Sequence, residues 1–288
     1  MNAERRAAAK KNATATASAD ADAGADADAD ADLIVDFASW RRDVARADET
    51  NATAFHGASF EACLTVACSR ESFERALEAI ATHDGVYASF GCHPLSATQW
   101  DDSMALATRR HLTSNERAVA IGECGLDYHY ETDAGARETQ KRVFVAQIEM
   151  AAELDAPIIV HTRDAEARSR LRRTHLPRDA RVHVHCFTSS KAMALALFEH
   201  FPNLRVGFTG VVTFKSAKDV RDVVSATPLE RILLETDGPY MAPVPHRGEV
   251  AHPGLVPHIA EKIAEIKGVG VDDVFRAARA ATEAVYGF

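Results

Sequence analysis

The chain has 288 residues, 47% of them hydrophobic, and a formal net charge of −9. That length suits an undivided α/β barrel with a large core, and no apolar run approaches a membrane span. Six aspartates between Asp20 and Asp32 hold much of the acidity outside the body, so net charge neither supports nor excludes a nucleic-acid ligand.

Residues 1–32 are Ala/Asp/Thr-rich and offer almost nothing to bury, which predicts a disordered extension ahead of one folded domain at 33–288. Arg5, Arg6, Lys10 and Lys11 against Glu4 leave two readings of residues 1–19: an organellar address or a solvated extension. The body is expected in the cytoplasm or nucleus. The five cysteines, Cys63, Cys68, Cys92, Cys124 and Cys186, include no C-x-x-C; buried thiols of a reducing compartment fit better than a structural zinc.

Beyond Asp32 the chain alternates. Apolar, β-branched runs at 33–37 (LIVDF), 63–68 (CLTVAC), 86–92 (VYASFGC), 118–124 (AVAIGEC), 158–161 (IIVH), 182–187 (VHVHCF), 205–209 (RVGFT) and 231–236 (RILLET) predict eight buried strands. Helical periodicity falls between or after them, at 72–81, 137–154, 165–173, 190–201, 217–225, 257–267 and 271–286. Helix-length crossovers imply parallel pairing, and eight such units predict a (β/α)8 TIM-type barrel. A doubly wound open sheet is the alternative, although no G-x-G-x-x-G follows the first strand. With no obvious interface signature, a monomer is expected.

The unusual polar residues share a location. His93 follows the third expected strand, Glu123 ends the fourth, His161 ends the fifth, His185 lies near the end of the sixth and Asp237 follows the eighth. Each alone has a plain structural explanation, as a satisfied core histidine or a helix cap. Five at the C-terminal ends of five strands instead mark the face where barrel enzymes carry their sites. Two imidazoles and two carboxylates there make a divalent-cation site, which would also offset the burial of Glu123 between Gly122 and Gly125. His183, two residues before His185, is read as core filling or as support for the ligands.

The motifs GCHP, AIGECGLDYH, PIIVHTRDA, VHCFTSS, VGFTGVVTF, LLETDGPYMAP and AHPGLVPHIA resemble, in order and spacing, those of the TatD-related metal-dependent deoxyribonucleases, barrel hydrolases of the amidohydrolase-like superfamily. The resemblance covers roughly residues 33–288, and its later half is especially similar to the eukaryotic TatD-domain branch. It implies a phosphodiester hydrolase acting on DNA, with RNA as a further substrate, using one or two Mg²⁺, Mn²⁺ or Zn²⁺ ions. By this resemblance Glu123 bridges or shares metal, His161 and His185 ligate one ion, and Asp237 is both ligand and base for the attacking water. His93 would contact substrate phosphate. Arg163 and Lys215 are phosphate contacts or ordinary surface charge; Tyr240, Phe187 and Phe214 are stacking platforms or core.

One departure stands out. The family usually opens with Asp-x-His-x-His, but here Asp36 is followed by Ala38 and Trp40 where the two histidines would fall. Neither His56 nor His129 is placed to substitute. The expectations that follow are a one-metal or water-completed site with weakened activity, a binding scaffold, or a chain start other than the natural one. An amidohydrolase-type enzyme of small molecules is a further alternative, although no strand ends in a lysine.

Overall fold

Seven of the eight apolar runs form strands in the computed structural model of the protein, which describes residues 60–165 and 176–288. They are β1 (Cys63–Ala67), β2 (Val86–Phe90), β3 (Ala118–Asp127), β4 (Ile158–Arg163), β5 (Val182–Val184), β6 (Leu204–Phe208) and β7 (Ile232–Leu234). The run at 33–37 lies outside the described residues, as does the helix expected at 165–173 apart from Ala165.

All pairings are parallel, and each strand's neighbour is the next in sequence, β1 through β7. Parallel neighbours need a return segment, supplied by α1 (Arg70–Thr82), α2 (Asp102–Ser114), α3 (Ala134–Leu154), α4 (Lys191–His200) and α5 (Lys218–Ala226). A doubly wound sheet would reverse direction and set non-consecutive strands side by side, which the described residues do not do. After β7 the chain adds α6 (Val256–Lys267) and α7 (Val271–Tyr286).

The sheet is curled. Tyr87 of β2 stacks on Phe288 with ring centroids 3.7 Å apart, while His183 Nδ1 of β5 lies 2.6 Å from the Tyr286 hydroxyl. The C-terminal residues therefore touch strands three places apart.

α2 was not anticipated from periodicity. Only Met104 and Thr108 are buried along it, so its apolar stripe is too thin to register. Its start is nevertheless legible: the Asp101 carboxylate accepts from Met104 N at 2.9 Å as an N-cap.

α3 does more than cover the sheet. Phe144 and Ile148 are fully buried against Ile121, Ile158 and Val160. Two glutamines occupy the same buried face, seven residues or two helical turns apart. Gln147 accepts from Cys92 N (2.7 Å) and donates to Cys92 O (3.1 Å); Gln140 accepts from Asp127 N (3.0 Å) and donates to Asp127 O (3.2 Å). Each amide grips both backbone groups of one residue, Asp127 at the last position of β3 and Cys92 two residues past β2. Gln147→Leu, similar in size but unable to bond, is expected to destabilise the fold by about 2–4 kcal/mol in urea unfolding, because two buried backbone groups lose partners.

Candidate metal centre

β3 makes the site through an irregularity. Its register against β4 runs Ile121↔Ile158 and then Cys124↔Val160, so β3 spends one residue more than its partner. Such a bulge re-aims a side chain. The strand then continues to Asp127, which corrects the expectation that Glu123 ends it: Glu123 is the sixth of ten residues. Gly125, at φ 152°, is what allows the close pairing, because a Cβ there would lie 1.9 Å from the His161 carbonyl oxygen.

Four carboxylates and two imidazoles interlock at these strand ends. His161 Nδ1 is 2.8 Å from Glu123 Oε1, and its Nε2 is 3.2 Å from Asp127 Oδ2. His185, one residue past β5, sets Nε2 3.7 Å from Glu123 Oε1 and 3.2 Å from Asp237 Oδ1, with Nδ1 2.8 Å from Glu235 Oε2. Glu235 also accepts from Cys186 N at 2.6 Å. A side chain at Gly207 of β6 would fill its place, since a Cβ there would stand 2.1 Å from Glu235 Oε1. His183 is buried, with Nε2 3.3 Å from Glu235 and Nδ1 on Tyr286, so it supports the cluster from beneath. His93 presents its ring edge to His161 at 4.7 Å between centroids while its Nδ1 accepts from Leu95 N.

Ligand atoms of His93, Glu123 and His161 lie within 4.8 Å of one another, and so do those of His185, Cys186 and Asp237. Among the described residues these two adjoining trios are the groups of three or more such side chains placed to hold a cation. His93, expected beside substrate, thus sits with Glu123 and His161, while His185 sits with Asp237.

Charge is shared unevenly across the cluster. Burial alone would push the Glu123 and Glu235 carboxyls up, but His185 and its neighbouring imidazoles hold both well below the usual carboxylate range. Burial works against charge on His161 too, yet its bonds to Asp127 and Glu123 raise it to about 9. His185 is likewise raised, against burial, by Glu123, Glu235 and Asp237. Burial dominates at His93, bringing it down to about 4, and at Cys186, whose thiol is pushed up to about 12. Anionic carboxylates gathered round imidazoles in a space sheltered from water suit a divalent cation, which would take over the neutralising role of the ring protons.

The remaining candidates divide. Arg163 stacks its guanidinium over Tyr130 at 4.8 Å, at the end of β4. Lys215 is exposed beyond the turn Gly210–Thr213, outside the contacts that build the cluster. Phe187 is core, Phe214 carries Arg247 over its ring at 3.7 Å, and His129 pairs with Asp164. Positions 38, 40 and 56 lie outside the described residues. Sequence reasoning missed Asp127 and Glu235. Their even spacing, four residues after Glu123 and two before Asp237, was the only hint, and it fixes no shared strand face, because Glu123 lies in the β3 irregularity and Glu235 and Asp237 lie past β7.

Residues 28–287 match the family described as TatD related DNase. The chain is 38% identical over 213 residues to an uncharacterized metal-dependent hydrolase, YcfH, of Escherichia coli, covering 74% of this chain and 78% of that one. It is 37% identical over 235 residues to the human 3′-5′ RNA nuclease TATDN2, covering 79% of this chain but 30% of that longer protein. The crystal structure of YJJV, a TatD homolog from Escherichia coli, superposes with a TM-score of 0.73 at 26% identity, covering 84% of this chain and 92% of that one. No helix among the described residues is long and apolar enough to cross a membrane.

Two outcomes are expected of the cluster. A cation must displace the ring protons of His161, held up to pH about 9, and of His185, also raised, so Mn²⁺ affinity measured by calorimetry should rise by roughly tenfold or more per pH unit from pH 6.5 and keep rising to at least about pH 9. Gly125→Ala should destabilise the protein by about 2 kcal/mol or more in urea unfolding, since the backbone conformation is strained for any side chain and the added carbon meets backbone.

Proposed function

The chain belongs to the TatD-related DNase family, and on that premise we propose that it is a divalent-metal-dependent phosphodiester hydrolase acting at the 3′ end of single-stranded DNA, with RNA as a second substrate. The observation that carries this reading is the convergence of two ligand trios, joined where His185 Nε2 of one lies 3.7 Å from Glu123 Oε1 of the other. We also propose that the run at 33–37 supplies an eighth strand closing the barrel, within a single domain at 33–288.

In this reading Glu123, His161, His185 and Asp237 hold one or two ions of Mg²⁺, Mn²⁺ or Zn²⁺. A bound cation of this kind lowers the pKa of water and polarises a phosphoryl oxygen. The chain's own residues do the rest. Asp127 and Glu235 fix the rings of His161 and His185, each by a carboxylate on the nitrogen away from the shared space, which orients the ring and raises its basicity as a ligand. Asp237 is the most open carboxylate of the four, its side chain 31% exposed against 11% for Glu123. It is therefore the acid that can meet a water and accept its proton. His93, its pKa lowered by burial and its Nδ1 accepting from Leu95 N, donates Nε2–H to a phosphate oxygen without adding charge. Arg163 contacts the next phosphate and, with Tyr130, offers a flat surface on which a base can stack. Lys215 is a further cation for the departing strand.

The test is hydrolysis of 5′-labelled single-stranded DNA and RNA oligonucleotides with Mn²⁺ or Mg²⁺, with and without chelator. Stepwise shortening from the 3′ end that chelator abolishes is expected. Glu123→Gln should lower the rate by at least about a hundredfold, and Glu235→Gln by about 10–100-fold with weaker metal affinity. Cleavage that survives chelator, or that Glu123→Gln leaves intact, would sink the reading.

A further inference from the structure

The loop that follows Asp237 brings a second imidazole pair together. His246 lies on this loop and His258 in the first turn of α6, with their Nε2 atoms 3.2 Å apart and ring centroids 4.9 Å apart. The other nitrogen of each ring meets a carboxylate. His246 Nδ1 is 3.0 Å from Glu249 Oε2, and His258 Nδ1 is 3.5 Å from Glu261 Oε2. The Glu249 carboxylate hydrogen-bonds Nδ1 of His246 and so favours a proton there and a lone pair on Nε2, while Glu261 makes an ion-pair contact with Nδ1 of His258.

Two neutral rings held this way would point lone pairs at each other across hydrogen-bond distance. A proton on one Nε2 would satisfy the contact as an N–H···N hydrogen bond, and a cation between the two lone pairs would satisfy it equally. Two nitrogens on one tetrahedral ion, each about 2.0–2.1 Å from it, stand roughly 3.3 Å apart, close to the separation seen here. His252 is a third imidazole on the same loop, and burial lowers its pKa.

We propose that His246 and His258 form a transition-metal site separate from the catalytic cluster, with Glu249 and Glu261 orienting the rings. Paired imidazoles select Zn²⁺, Cu²⁺, Ni²⁺ or Co²⁺ over Mg²⁺ and Mn²⁺, whereas the carboxylate-rich cluster accepts the harder ions. The two sites therefore differ in the ions they take. An ion here clips the loop, whose base is Asp237 and whose far end is pinned by Ala251 N on Pro239 O at 3.0 Å, onto the first turn of α6. Arg247, next to His246 and exposed, sits on the clipped segment. The proposal stands apart from the nuclease reading and does not depend on it.

The test is Zn²⁺ stoichiometry of the full chain by equilibrium dialysis in excess Mg²⁺, compared with His246→Ala and His258→Ala. Wild type is expected to bind one Zn²⁺ more than either variant. Tryptic cleavage after Arg247, followed by mass spectrometry, is expected to slow roughly tenfold in wild type when Zn²⁺ stands at about ten times its Kd, and not to slow in the variants. Glu249→Gln keeps both imidazoles, so it covers the case in which a truncated variant fails to fold. It should weaken the extra Zn²⁺ by about tenfold or more. Equal Zn²⁺ counts in wild type and both histidine variants, with cleavage at Arg247 indifferent to Zn²⁺, would leave only a proton shared between the rings and overturn the site. Unchanged affinity in Glu249→Gln would overturn the orienting role. None of these readouts requires hydrolysis of nucleic acid, so failure of the nuclease reading and failure of this one are distinguishable.

Discussion

Carboxylates withdrawn from water at one end of a parallel sheet set the terms for what surrounds them. Glu123 and Asp127 come from β3, Glu235 and Asp237 from the segment after β7, and His161 and His185 stand between them. An isolated buried carboxylate costs several kcal/mol, and only a positive partner with good geometry offsets it. The cluster can persist because each imidazole bridges several acids, two at His161 and three at His185. A sheet that curls is what makes this possible, since strands several places apart must deliver side chains to one point.

That convergence requires irregularity in otherwise regular strands. A strand of strict alternation would carry Glu123 and its neighbours at fixed spacing along β4, whereas the extra residue between Ile121 and Cys124 shifts the phase. The close pairing beyond it leaves no volume for a side chain at Gly125, and Gly207 leaves the matching space for Glu235 on the far side. Two glutamines on α3 then grip Cys92 and Asp127, the backbone beside His93 and the backbone of an orienting acid. The helix that buries the core thus also holds the strand ends in place, and packing and chemistry share one element.

The imidazole pair on the loop after Asp237 follows the same rule at the surface. Again a carboxylate stands beside one ring nitrogen of each imidazole, and the other nitrogen faces the shared space. The difference lies in the company: anionic oxygen dominates the central cluster, and imidazole nitrogen dominates the loop pair. One chain therefore presents two donor sets of different hardness, linked through the loop that begins at Asp237.

The sequence by itself determined the strands and the face on which chemistry collects. Period and β-branched content place seven described strands within a few residues, and His93, Glu123, His161, His185 and Asp237 all lie at or beyond the C-terminal half of a strand, because local pattern is written in adjacent residues. Motif order likewise pointed to the family that the matched residues 28–287 bear out. What only the tertiary structure decided is which polar groups act together. Asp127 and Glu235 carry no local mark separating an orienting acid from a cap, and a bulge is invisible to alternation. Gln140 and Gln147 read as polar lapses on an apolar face until β2 and β3 end beside them. His246 and His258 are twelve residues apart in the chain and become a pair only when the loop folds back on α6, because through-space partners are set by the path of the chain and not by its spacing.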